Sequence, residues 1–165
     1  MAKEFVKKIL VAINGSDSSI DAAMYAIMLS ASCKYQLKVV YIVDSSTIKY
    51  LGINHILLRE EEDEFTKDLT AEGNSYLDYV QSLAASKGLE IEKELRSGTV
   101  YTEIIKAAEE YEADMIIIGS HCKTFRDNRI KRSVISQHQM DVLTNASCPV
   151  LVVKKNGIKA EFNAF

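Results

Sequence analysis

Ile9 to Asp17 read Ile-Leu-Val-Ala-Ile-Asn-Gly-Ser-Asp, and this stretch decides the fold. Ile9 to Ile13 form a short, continuous apolar run, which predicts a strand buried on both faces. Asn14 and Gly15 break the run, and Ser16 or Asp17 supplies the oxygen that N-caps the next element. Ile20, Ala23, Met24, Ile27 and Ala31 then recur at the spacing of an amphipathic helix. Leu37 to Val43 (LKVVYIV) is a second β-branched run, ending at Asp44. Strand, tight turn, helix and strand make a βαβ unit, whose crossover is right-handed.

Working outward, residues 44–58 read as a long connection with a short apolar piece, marked by Ser45, Ser46, Gly52 and Asn54. The acidic run Glu60 to Glu64 opens a long helix, where carboxylates suit the positive end of the dipole. Phe65, Leu69, Tyr76, Val80 and Leu83 form its apolar stripe, and Gly88 ends it. Leu89 to Leu95 alternates apolar with charged residues and predicts a half-exposed edge strand. Ser97-Gly98-Thr99 caps a helix with Tyr101, Ile104, Ile105, Ala108 and Tyr111 on its buried face. Met115 to Ile118 predicts another buried strand, closed by Gly119. A polar, basic loop continues to Arg132. Ile135, His138, Val142 and Ala146 mark the last helix of the unit, with His138 read as a core residue on its apolar stripe. Pro149 precedes the final strand, Val150 to Val153, where its missing N–H is tolerated.

Short apolar strands alternating with helices predict a doubly wound α/β fold with a parallel sheet. Ligands of such sheets lie beyond the carboxyl ends of the strands, where the strand order switches. That directs attention to loops 14–17, 44–58 and 119–132.

Composition removes several function classes. The chain has 165 residues, enough for one well-buried domain, and a formal net charge of -3, which gives no polyanionic partner such as nucleic acid. No apolar run approaches membrane-spanning length, and residues 1–8 lack a signal-peptide core. Cys33, Cys122 and Cys148 are scattered, without a C-x-x-C pair, which suits a reducing cytoplasm. His55, His121 and His138 have no metal-ligand spacing.

Four segments, in order, resemble the universal stress protein family. Lys8-Ile9-Leu10-Val11-Ala12-Ile13-Asn14-Gly15-Ser16 is similar to its opening ILVAVDGS, and Val40-Tyr41-Ile42-Val43-Asp44 to its LHVVD. Ala113-Asp114-Met115-Ile116-Ile117-Ile118-Gly119-Ser120 resembles ADLIVMGS, and Ala146 to Val153 resembles APCPVLVV. The resemblance spans residues 5 to 155, leaving 156–165 as a tail beyond a domain of residues 1–155. It implies a five-stranded parallel sheet of order 3-2-1-4-5, Rossmann-like, and a homodimer joined through Val150 to Val153. Phe162 and Phe165 in the tail are expected to dock on a dimer partner or a neighbouring surface.

The resemblance also implies an adenine-nucleotide site, touched by Ala12, Asn14, Ile42, Ile118 and Gly119. In nucleotide-binding members the loop after the fourth strand reads Gly, two residues, Gly, nine residues, Gly-Ser. Such glycines let backbone N–H groups and the next helix N-terminus reach phosphates. Here Gly119 is the first glycine and Cys122 takes the place of the second. Counted forward, the closing Gly-Ser falls on Arg132-Ser133; counted back from Cys148-Pro149, it falls on Ser136-Gln137, and a loop absorbs the insertion more readily than a helix. Asn14 stands where the family has aspartate.

These departures favour a small, non-enzymatic cytoplasmic stress-response homodimer with a degenerate nucleotide site. The alternative is an ATP- or AMP-binding switch, or slow ATP hydrolase, in which Lys123, Arg126, Arg129, Lys131 and Arg132 hold phosphates by side chain. Cys122 lies between His121 and Lys123, which could lower its pKa, but it has no resolving partner and reads as an ordinary loop cysteine. Two other readings fail: Asn14 to Ser19 match the S-G-G-x-D-S loop of ATP pyrophosphatases only in part, and Asn14 and Arg96 do not supply a receiver domain's acidic positions.

Overall fold

The computed structural model describes residues 5–124 and 131–165, with the backbone alone for 121–124 and 131–134. In chain order it contains β1 (Lys8–Ile13), α1 (Asp17–Cys33), β2 (Gln36–Asp44), α2 (Ser45–Ile53), α3 (Arg59–Ser86) and β3 (Glu92–Gly98). Next come α4 (Val100–Tyr111), β4 (Met115–Gly119), β5 (His121–Thr124), β6 (Lys131–Val134), α5 (Gln137–Asn145), β7 (Val150–Val153) and α6 (Ile158–Ala164).

Five strands form one parallel sheet in the order β3-β2-β1-β4-β7, which is 3-2-1-4-5 among its members. The period-2 alternation of strand side chains divides the core between the two faces. Ile9, Val11, Ile13, Val39, Tyr41, Val43 and Ile117 face α1, α3 and α6. Leu10, Ala12, Val40, Ile42, Ile116 and Ile118 face α4 and α5. Apolar side chains on both sides explain why the strands read as unbroken runs rather than alternating ones.

Local chemistry starts and stops the first helix. Ser16 is the N-cap of α1, its Oγ accepting from Ser19 N at 3.3 Å, and Lys34 closes the helix in the left-handed region at φ 60°. Gly15 is required twice over: its φ is +81°, and a Cβ there would lie 2.4 Å from the Tyr76 ring. That ring stacks on Tyr41 with an interplanar angle of 7°.

Four expectations change. The edge strand runs Glu92–Gly98 rather than Leu89 to Leu95; Leu89 and Ile91 pack on the core ahead of it. Its charged residues are paired across the surface, with Arg96 bonded to Glu94, Glu103 and Glu110. Residues 45–53 form helix α2 rather than irregular connection, because Asp44 caps it. The basic stretch after Gly119 is partly a hairpin, β5 pairing antiparallel with β6; residues 125–130 lie outside the described residues. Of the two tail phenylalanines, Phe162 docks, on its own domain: Ile158 and Phe162 are buried in the core beside α1, and Lys87 Nζ sits 4.7 Å from the Phe162 ring centre, whereas Phe165 stays exposed.

Candidate functional site

The order of strands switches between β1 and β4, and a crevice of about 450 Å³ opens beyond their carboxyl ends. Ala12, Ile42, Ile118, Ile104 and Val142 make its apolar lining, drawn from β1, β2, β4, α4 and α5. Its polar groups converge from the ends of the same elements: Asn14, Ser16, Ser18, Asp44, Ser136, His138 and Gln139.

Asn14 belongs to the cap of α1. Its Oδ1 accepts from Ser16 N at 3.1 Å and from Ser16 Oγ at 2.6 Å, while its own N–H donates to Ser19 Oγ at 3.2 Å. The amide therefore does locally what an aspartate would do, without bringing a charge.

Gly119 allows α1 to reach this place at all. A Cβ on it would lie 2.4 Å from the Ser18 carbonyl oxygen, so the first turn of α1 presses directly on the end of β4.

Opposite, Ser136 is the N-cap of α5 in a closed capping box. Ser136 Oγ accepts from Gln139 N at 3.3 Å, and Gln139 Oε1 accepts from Ser136 N at 2.7 Å. Gln139 Nε2 also donates to the Gly119 carbonyl, tying the start of α5 to the end of β4. Two donors of this helix terminus are thus spent within the chain.

Asp44 stands at the end of β2. Partial burial raises its pKa, but hydrogen bonds from Ser46 Oγ (2.6 Å), Thr47 Oγ1 (2.6 Å) and Thr47 N (3.2 Å), with His138 nearby, outweigh burial and hold the carboxyl below its ordinary value. Among the described residues the crevice lining includes the Asp44 carboxylate and no lysine or arginine.

Of the residues expected from the sequence, the structure brings Ala12, Asn14, Ile42, Ile118, Gly119 and Ser136 together in this crevice. Gln137 is exposed and its amide donates instead to Asp141 Oδ1 at 2.9 Å. The backbones of Cys122, Arg132 and Ser133 run in the hairpin, and their side chains lie outside the described residues. His138 is a correction: it is exposed and lines the crevice rather than the core. Only Val142 is buried in α5, because the helix begins at Gln137 and Ile135 precedes it. Asp44, His138 and Gln139 were missed as site residues; the capping pattern Ser-x-x-Gln at 136–139 was the available signal for the last.

No cluster of His, Cys, Asp or Glu that could hold a metal ion occurs among the described residues, and no helix there is long and apolar enough to cross a membrane.

The sequence profile of the universal stress protein family matches residues 6–154. The universal stress protein MJ0531 of Methanocaldococcus jannaschii is 34% identical over 149 residues, covering 90% of this chain and 82% of its own. The solved structure of MJ0577, from the same organism, has a TM-score of 0.74 at 24% identity, over 93% of this chain and 99% of its own. A universal stress protein family structure from Arabidopsis thaliana with AMP bound has a TM-score of 0.65 at 15% identity, over 93% of this chain and 94% of its own. The two structures share the fold, and the profile match with the identity to MJ0531 carries kinship: the chain belongs to the universal stress protein family.

Proposed function

We propose that this protein is a non-enzymatic, cytoplasmic homodimer of the stress response whose crevice is an altered adenine-nucleotide site, keeping a slot for the base without a cradle for polyphosphate. The observation that carries the reading is the capping box of α5. A helix N-terminus attracts anions while its N–H groups are free. Here Ser136 and Gln139 take two of those donors for each other, and Gln139 is held by Gly119 as well. Asp44 adds like charge against a phosphate chain.

The apolar lining supports the slot. Its volume falls within the roughly 300–1,000 Å³ usual for small-molecule pockets, and the Arabidopsis relative carries AMP. Without held phosphates there is no positioned group to transfer, which supports a non-enzymatic role. The exposed free thiol of Cys33 suits a reducing compartment.

Support for the homodimer lies in β7, which with β3 is one of the two edge strands of the sheet. Pro149 O and Val153 O accept from β4 and the residue after it, so by the alternation of a parallel ladder the backbone groups of Val150 and Val152 point outward.

A second reading rests on the hairpin. β5 begins two residues after Gly119 and β6 ends two residues before Ser136, so the hairpin that carries Lys123, Lys131 and Arg132 leaves from and returns to residues beside the crevice lining. In that reading their side chains hold phosphates in place of the missing glycines. Equilibrium dialysis with adenosine, AMP and ATP, together with a phosphate-release assay, separates the two. The first reading expects ATP to bind no more tightly than AMP, with no hydrolysis. ATP that co-purifies, binds at least about tenfold tighter than AMP (about 1.4 kcal/mol), or is turned over establishes the second.

A further inference from the structure

Asn14 and Gly15, at the turn between β1 and α1, form one of two Asn-Gly pairs in the chain; the other, Asn156-Gly157, precedes α6. Before a glycine, an asparagine side chain meets the next backbone nitrogen most freely, because no Cβ stands beside that nitrogen. The two pairs are matched in much else. Both asparagines are exposed, and the two glycines have φ of 81° and 79°.

They differ in what surrounds the amide. Asn14 Oδ1 accepts two hydrogen bonds, from Ser16 N at 3.1 Å and from Ser16 Oγ at 2.6 Å. A backbone N–H needs an acceptor, so the first of these fixes which end of the amide is oxygen. The Nδ2 end has no partner among the described residues, and the Gly15 N–H donates to no acceptor there. From behind, the Tyr76 ring packs on Gly15 and holds the turn. Asn156, by contrast, has no hydrogen-bonded side chain among the described residues, and a Cβ on Gly157 would meet nothing within 4 Å.

Two donors on one carbonyl oxygen stabilise the oxyanion that forms when a nucleophile adds to the carbon. Here the carbon is Asn14 Cγ, and the turn closed by Ser16 N encloses the unbonded Gly15 nitrogen.

We propose that Asn14 is a self-modifying site, at which the chain slowly deamidates its own side chain and so changes the charge of the crevice. Gly15 N bonds to Asn14 Cγ while its proton passes through water to Nδ2; the Cγ–Nδ2 bond breaks and ammonia leaves. Water then adds to a carbonyl of the cyclic imide and reopens it as aspartate or isoaspartate. One water is consumed and one ammonia released for each carboxylate formed, and nothing is oxidised or reduced. Asn14 and Asp44 both line the crevice, so the product sets a second carboxylate there. Older and newer chains then present different charge to a ligand.

The test holds the full chain folded in mildly alkaline buffer and follows both Asn-Gly pairs by peptide mass spectrometry, where each lost amide adds one mass unit. Asn14 is expected to convert at least about tenfold faster than Asn156, a modest share of what an oxyanion donor contributes in an enzyme. In urea the pairs lose their surroundings and keep their sequence, so their rates should become equal. Ser16→Ala removes the donor at 2.6 Å and should slow Asn14 in the folded chain while leaving Asn156 unchanged. Ser16→Thr, which keeps a hydroxyl, should restore the rate; circular dichroism checks the fold of each variant. Conversion of Asn14 no faster than that of Asn156 in the folded parent chain, a comparison that needs no variant, overturns the proposal. So does a rate at Asn14 that is no higher folded than in urea, or one that a folded Ser16→Ala chain leaves unchanged.

Discussion

Ser136 and Gln139 close on each other at the mouth of the crevice, Oε1 of Gln139 accepting from Ser136 N at 2.7 Å and Ser136 Oγ accepting from Gln139 N at 3.3 Å. Replacing Gln139 by alanine removes one arm of the box and the tie to Gly119. Thermal unfolding should fall by about 3 °C, matching a lost cap worth about 1 kcal/mol. If the cap also keeps anions out, equilibrium dialysis should show Gln139→Ala binding AMP more tightly than the parent protein. Unchanged AMP binding in this variant would remove the capping box as the reason for a weakened phosphate site.

Gly119→Ala drives a methyl group into the backbone of Ser18, which cannot yield as a flexible side chain can. The first turn of α1 must then move off the end of β4. Overpacking of this kind costs about 1–3 kcal/mol, read as a lower urea midpoint with an unchanged slope.

Asp44 couples stability to pH. Its carboxyl is held below its ordinary value, so its contribution is complete above the unfolded carboxylate value, about 3.9, and is lost as pH falls through the lower folded value. Asp44→Ala should cost about 1–2 kcal/mol at neutral pH, as the loss of a charged N-cap. The gap between the two proteins in urea unfolding should stay level down to about pH 5 and close in stronger acid.

The C-terminal helix is part of the core. Phe162→Ala should lower stability by about 3 kcal/mol, the usual cost of emptying a buried aromatic site. Because Phe162 packs within its own chain, the loss should be the same at every protein concentration. A loss that grows on dilution would mean that the helix also contacts a partner subunit.

Val152→Pro tests the sheet edge. Its backbone points away from β4, so proline there spares the internal ladder and blocks pairing with a second copy. Sedimentation should give a monomer with native circular dichroism. A dimer that survives the substitution places the interface elsewhere.

Most of the fold was legible because β1, β2, β4 and β7 are continuous apolar runs between helices. β3 was misplaced by three residues, since Leu89 and Ile91 are apolar for a different reason: they cover the core before the strand starts. α2 was missed because Ser45, Ser46 and Thr47 favour caps and turns over helix interiors, although that same chemistry lets Asp44 start the helix. In the crevice, Asn14, Gly119 and Ser136 stood out through a familiar spacing. His138 did not, because its spacing to Val142 and Ala146 mimics a buried stripe in a helix that starts too late to make one. The Ser-x-x-Gln pattern marks Gln139 as one arm of a cap, but its bond to Gly119 exists only when α5 is brought against β4, a contact that local sequence does not encode.

The bonds that Lys7 and Lys8 donate from their backbones to Asp114 join groups more than a hundred residues apart. β1 sits at the centre of the sheet, yet one of its two neighbours, β4, is made only after two thirds of the chain. During synthesis the first βαβ unit must therefore wait with one flank unpaired and apolar. Such long-range closure makes for slow folding and a period of vulnerability to wrong pairing. The interval between translation of β1 and the arrival of β4 is when the nascent chain most needs protection.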